Sequence, residues 1–384
     1  MYLELNESEY KVTAEGITVE LFAKEFALLQ FMYRNRGRTF SREQLLDKVW
    51  PLEYPAERTV DDHIYRLRKK LGSLQGLDIK TLRGFGYSLT VPNSHTLAAA
   101  HPTAQDAELR ETMREVFVKY HQYGQGRSML ILARQQDVLG YEMDSFYSVY
   151  VHFVQGDLEW LLNTSEVPMG ERLYWLLLFF MFSGEPEGKL AYCEQALEKK
   201  LMSPSQHREM EILNILDLYT VAGVPDKALQ RLELTHKVIA ELQMEKFRLP
   251  VAISEMFAHL AAGTQNEELN RMATAIEELL LEKPFLREIG SYKVVKGMWA
   301  LRRKEWREAE NLMDEGLGVL DMSGFIPLRL LALHRIVHYC RRFQAKEALE
   351  HKYTRLFEEE QEQLGLNRLM KPLEAAIHNY LHAL

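Results

Sequence analysis

The pattern of apolar and polar positions changes character twice along the chain. Between residues 2 and 22 the two alternate, and two short β-prone runs flank Glu15-Gly16 in SEYKVTAEGITVEL, which predicts a hairpin. The period then turns helical. In AKEFALLQFMYRNRG the apolar positions are Phe26, Leu29, Phe31, Met32 and Tyr33, and Gly37, after a basic last turn, predicts the stop. A second helix is predicted over SREQLLDKVW, where Ser41 and Gln44 have capping-box spacing and Pro51 ends the run. The stretch PLEYPAE, 51–57, reads as a proline-stiffened loop. In RTVDDHIYRLRKKLG, 58–72, Val60, Ile64, Leu67 and Leu71 share one stripe, while Arg58, Asp62, Tyr65, Arg66 and Lys69 face the other way. His63 falls beside the apolar stripe and reads as a packing residue. Beyond Gly72, β-forming residues around Gly84 and Gly86 predict two strands joined by a tight turn.

Strands, three helices and a closing hairpin over residues 1–92 are the order of an α+β winged helix, whose last helix enters the major groove of DNA. Residues 93–105, within VPNSHTLAAAHPTAQ, predict a linker. From 106 to 384 helical period dominates. The segments SGEPEGKLAYCEQALEKK, AGVPDKALQRLELTHKV, LRRKEWREAENLMDEGL and CRRFQAKEALEHKYTRL each carry a polar turn, then a small residue: Ala191, Ala228, Ala309 and Ala348. Their steps are 37, 81 and 39, and Ala273 divides the longest. A period near 37–45 predicts an all-α helical-hairpin solenoid. It resembles tetratricopeptide (TPR) repeats, with a longer period and a looser pattern. Such a domain would serve as sensor or dimerisation unit. Its concave face would take a peptide, small-molecule or protein ligand. Trp160, Tyr174, Trp175, Trp299 and Trp306 read mostly as core.

Composition narrows the function classes. With 384 residues, 47% hydrophobic and 27% charged, the chain has material for two domains. LYWLLLFFMF, 173–182, has half the roughly 20 residues a membrane span needs and predicts a buried helix. MYLELNESEY has no leader-like pattern, so the expectation is a cytoplasmic protein with no membrane partner. Cys193 and Cys340 lie far apart and are expected as buried thiols. Residues 1–100 hold 14 lysines and arginines against 13 acidic residues, and the remainder 33 against 42, a net of −9. Yet 58–83 hold seven cations to three acids, a local basic cluster of the kind that meets nucleic acid. The acidic balance of the larger half favours a cationic ligand there. No phosphate-cradling glycine loop, metal-ligand spacing or nucleophile–base–acid set stands out, and His334/His338 lack a glutamate at the expected spacing. No enzyme activity, catalytic residue, metal or cofactor is expected.

The three ordered blocks AKEFALLQFMYRNRGRTFSREQLLDKVW, RTVDDHIYRLRKKLG and IKTLRGFGYSL resemble the effector domain of OmpR/PhoB-type transcription regulators over about residues 1–92. The resemblance implies a DNA-binding transcriptional regulator. Arg66 would read bases, Arg58, Arg68 and Lys69 would contact phosphates, Thr81 the backbone, and wing Arg83 the minor groove. Asp62 and Tyr65 depart from the family's usual residues on this face, Asp62 being able to accept from cytosine N4. The loop residues Leu52, Glu53 and Tyr54 would touch RNA polymerase. No receiver domain is expected ahead of the blocks, and control is therefore expected from the helical half, acting as a homodimer. The alternative is an adaptor or scaffold in which the solenoid binds protein partners and the winged helix is a protein-interaction module.

Overall fold

The computed structural model describes residues 4–382 apart from 7–8, 15–16, 36–38, 51–57, 73, 75–76, 83–85, 91–102, 104–105, 184–186 and 344. The chain divides into two units, Met1–Arg110 with Gln135–Glu142, and Glu111–Arg134 with Met143–Leu384.

In the first unit the alternating segment forms a three-stranded antiparallel meander: β1 (Glu4–Asn6), β2 (Lys11–Ala14) and β3 (Ile17–Glu20). Val12 stands opposite Val19 in the predicted hairpin β2–β3, whose Glu15-Gly16 lies outside the described residues. The extra strand β1 sets Leu5 opposite Val12. Helix α1 (Ala23–Arg34) follows, and Gly37 also lies outside the described residues. Strand β4 (Thr39–Phe40) is too short to show a period; it exists because it pairs with a later strand. Helix α2 (Arg42–Val49) has the predicted capping box: the Gln44 N–H donates to Ser41 Oγ at 3.1 Å and the Ser41 N–H to Gln44 Oε1 at 2.9 Å. Helix α3 (Arg58–Leu71) leads to β5 (Asp78–Leu82) and β6 (Gly86–Thr90), which with β4 make a sheet of order β4-β6-β5. Gly86 has φ 138°, and a Cβ there would lie 1.9 Å from the Phe40 carbonyl oxygen, so only glycine fits.

One core unites these elements. Val60, Ile64, Leu67 and Leu71 of α3 pack with Phe26, Leu29 and Met32 of α1, with Leu45 and Val49 of α2, and with Ile79 and Leu89. Each such side chain contributes about 1.5–3 kcal/mol on burial. The result is a winged helix in which four aliphatic residues fix the rotation of α3.

In the second unit the regular elements among the described residues are helices. From Pro225 onward the α-helices are long and even: Pro225–Glu241, Arg248–Ala262, Asn266–Glu282, Leu286–Arg302, Trp306–Ser323, Ile326–Arg342, Glu347–Gln363 and Leu366–His382. Alternate members differ in burial. Arg248–Ala262, Leu286–Arg302 and Ile326–Arg342 are buried over most of their circumference, and the helices between them bury a single stripe. The three inner helices begin 38 and 40 residues apart, inside the period read from the sequence.

The run 173–182 is buried throughout, as are Tyr174, Trp175 and Trp299; Trp160 and Trp306 are half-buried. Cys193 and Cys340 are buried free thiols, pushed up to about 12 by burial. Of the small residues, Ala228, Ala273 and Ala309 are buried, but Ala191 and Ala348 are exposed. Both stand second in their helices, Leu190–Glu198 and Glu347–Gln363, and the packed face is taken instead by Cys193 with Ala196 and by Leu349. Glycines let Leu286–Arg302 and Trp306–Ser323 approach closely: a Cβ on Gly316 would lie 2.7 Å from the carbonyl oxygen of Gly290. Elsewhere Arg335 donates to buried Asp217, 118 positions earlier, joining Ile326–Arg342 to Ile215–Val221. Among the described residues no helix is long and apolar enough to cross a membrane.

Candidate nucleic-acid interface

With Val60, Ile64, Leu67 and Leu71 turned inward, Arg58, Asp62, Tyr65, Arg66 and Lys69 form an exposed stripe along α3, Tyr65 being 69% exposed. Among the described residues neither Arg66 nor Lys69 has a hydrogen-bond or ion-pair partner in the chain, so both cations face water.

The polar residues between these are tied into the domain. Asp61 accepts from Arg42 Nε at 2.7 Å and from the Tyr87 hydroxyl at 2.6 Å, joining α2, α3 and β6. Burial pushes its carboxyl up, but the hydrogen bonds from Tyr87 and Arg42 outweigh this and hold it below its ordinary value. Lys70 donates to Glu25 Oε2 at 2.7 Å, and that buried carboxylate also accepts the Phe22 N–H at 3.0 Å. His63 Nδ1 lies 2.7 Å from the Thr59 carbonyl oxygen, with its ring edge-on to Trp50 at 4.9 Å, a packing position.

Arg68 and Thr81 are brought together. Arg68 Nε donates to the Ile79 carbonyl at 2.9 Å and its Nη2 to Thr81 Oγ1 at 2.7 Å. The guanidinium expected at a phosphate therefore braces α3 against β5, while Thr81 remains exposed. Arg83, Leu52, Glu53 and Tyr54 lie outside the described residues.

The arrangement offers three kinds of contact. Arg66 presents a planar fork suited to guanine O6 and N7, Lys69 a point charge suited to phosphate, and Asp62 an acceptor for cytosine N4. The sequence reading missed the Arg42–Asp61–Tyr87 tie. Asp61 was only one of the three acids counted over 58–83, and no spacing marks a partner such as Tyr87, 26 positions on.

Residues 16–89 match the family described as "Transcriptional regulatory protein, C terminal". The transcriptional regulatory protein VxrB of Vibrio cholerae is 43% identical over 88 residues, 23% of this chain and 35% of that one. The phosphate regulon transcriptional regulatory protein PhoB of Rhizobium meliloti is 47% identical over 89 residues, 23% of this chain and 39% of that one. The chain thus spans well under half the length of these relatives. Among solved structures, the DNA-binding domain of Bacillus subtilis CssR is 36% identical, covering 23% of this chain and 100% of that chain, with a TM-score of 0.21.

Proposed function

Starting from an N-terminal DNA-binding domain of the OmpR/PhoB type, we propose that this chain is a sequence-specific transcriptional regulator of the cytoplasm. Helix α3 lies in the major groove of double-stranded DNA. Arg66 reads base edges, and Arg58 and Lys69 hold phosphates, with Asp62 and Tyr65 adjusting base preference. Thr81 contacts the backbone, Arg68 positions the wing, and Arg83 probes the minor groove. Residues 93–105 link this domain to a TPR-like solenoid, 106–384, which forms a homodimer and carries the controlling ligand site. Leu52, Glu53 and Tyr54 contact RNA polymerase.

The observation that carries the DNA reading is the unpartnered Arg66–Lys69 face on a helix where Asp61, Arg68 and Lys70 are tied into the domain. A salt titration of DNA binding by the full chain tests it. Arg66→Ala is expected to cost about 1–3 kcal/mol and relax preference at one base, and Lys69→Ala to weaken all sequences alike with a salt slope shallower by about one. Unchanged binding in both variants overturns the docking.

The adaptor reading draws on the exposed carboxylate of Asp62 beside exposed Tyr65. It predicts that Asp62→Asn weakens capture of a protein partner and leaves DNA affinity alone.

A further inference from the structure

We propose that Asp62 is a specificity filter on α3: it selects cytosine at one base pair, so that Asp62 and Arg66 together demand two neighbouring G·C pairs, and it weakens binding to every other sequence. The inference rests on α3 lying in the major groove and deepens that reading by naming the chemistry of the DNA the helix accepts.

The carboxylate of Asp62 has no structural task. Helix α3 begins at Arg58, and the acid of its first turn is Asp61, which Arg42 and Tyr87 hold. Asp62 lies beyond that turn, where the attraction of a helix N-terminus for negative charge has faded. It is exposed, so it packs in no core. Arg58 stands four positions before it and Arg66 four after, the spacing at which opposite charges on a helix pair. Neither pair forms, and Asp62 has no hydrogen-bond or ion-pair partner among the described residues. One uncommitted anion therefore stands on the same face as the uncommitted cations Arg66 and Lys69.

Its position matches that of a base reader. At 100° per residue, Asp62, Tyr65, Arg66 and Lys69 fall within an arc of about 100°, with Asp62 and Arg66 about 6 Å apart along the axis. Residues three or four apart on a helix in the major groove meet successive base pairs. A docking that brings Arg66 to one base pair thus brings Asp62 to the next.

Base chemistry then chooses the sequence. A carboxylate only accepts hydrogen bonds. Guanine shows it the acceptors N7 and O6, thymine the acceptor O4 and a methyl group, and adenine an acceptor beside its donor. Cytosine alone presents a donor, N4, with no acceptor on its own edge. With guanine under the Arg66 fork, both positions are G·C pairs, whichever strand carries the cytosine. Phosphates repel the carboxylate along the whole duplex, and over a wrong base it also loses its water without gaining a bond. Over cytosine the new bond offsets that loss. Discrimination by repulsion lowers non-specific affinity more than specific affinity, and the ratio of the two decides where a regulator sits on a genome.

The test is selection by the full chain, and by Asp62→Ala and Asp62→Asn, from a pool of DNA duplexes randomised over two helical turns, followed by fluorescence anisotropy at one salt concentration. The parent chain should enrich two neighbouring G·C pairs. Changing the selected cytosine to any other base should weaken the parent chain at least tenfold and Asp62→Ala less than threefold. Asp62→Ala should also bind the unselected pool at least threefold more tightly than the parent, a gain from deleting a side chain in the interface. Asp62→Asn, whose amide both donates and accepts, should move the preference at that position from cytosine to adenine. Thermal unfolding checks the fold of both variants, which change an exposed helical position. The same enriched sequence from the parent and Asp62→Ala, or no gain by Asp62→Ala on the unselected pool, overturns the filter. The salt titration of Arg66→Ala and Lys69→Ala separates the two failures: if those variants lose affinity, the docking of α3 stands and the filter alone falls, and if they do not, both fall.

Discussion

The two units use charge in opposite ways. On α3 four buried aliphatic residues hold Arg66 and Lys69 in water, while Glu25 and Asp61 hold nearby cations in place. In the helical unit Arg335 and Asp217 are buried together. A solvated cation contributes little to folding and can exchange its counterions for phosphates. A buried one depends on its partner, and removing that partner leaves an uncompensated charge. Losing one charge should therefore register as binding in the first unit and as stability in the second.

The strongest way to break this contrast is Asp217→Ala, which leaves Arg335 buried and alone. Unfolding in urea should show a loss of about 3–5 kcal/mol, whereas the paired replacement Asp217→Leu with Arg335→Met should be close to neutral. A loss as large in the double variant would mean that the pair itself, rather than its imbalance, holds the helices. Gly316→Ala comes next and carries no charge. The new methyl would lie 2.7 Å from the Gly290 carbonyl oxygen and 2.8 Å from Val294 Cγ2, and overpacking of this kind costs about 1–3 kcal/mol. Thermal unfolding measures it.

The smallest effect sharpens the contrast on the solvated side. The Asp61 carboxyl titrates below its ordinary value in the folded chain, so its tie contributes fully above the usual aspartate range, about pH 3.9, and is lost as pH falls through the folded value. Its side chain is 40% exposed, so screening should keep the effect below about 1 kcal/mol. Asp61→Asn should lower neutral stability by no more than about 1 kcal/mol, and its thermal midpoint should meet that of the parent chain as pH falls through the folded value.

The rotation of α3 was legible because Val60, Ile64, Leu67 and Leu71 repeat with the helix and nothing competes with them. The capping box at Ser41 and Gln44 was legible because both its bonds are local. What the sequence hid is reach. Arg68 and Lys70 stand among the cations of α3, yet one bends to Ile79 and Thr81 and the other to Glu25, 45 positions away. Position on a helical wheel fixes the direction in which a long side chain leaves the helix and says nothing about where its tip settles. In the larger half, periodicity located the helix pairs but misplaced Ala191 and Ala348, because the packed face depends on where each helix starts. The bond from Asn214 to Tyr174 was invisible for a further reason: the two stand 40 positions apart and share no spacing.

Between Pro204 and Val221 the helix carries a π turn at Met210–Asn214, and Asn214 Nδ2 donates to Tyr174 Oη at 2.9 Å. Such a turn carries one residue beyond what a straight α-helical path requires. Residues five apart in an α-helix diverge by about 140°, and residues four apart by about 40°. Deleting one residue between Glu209 and Asn214 would therefore leave both on one face of a continuous helix, with the chain on either side still in phase. The same deletion within Ile215–Val221, where the path is already α-helical, would turn everything beyond it by about 100°. The turn is the one place in this stretch where a lost codon could be absorbed.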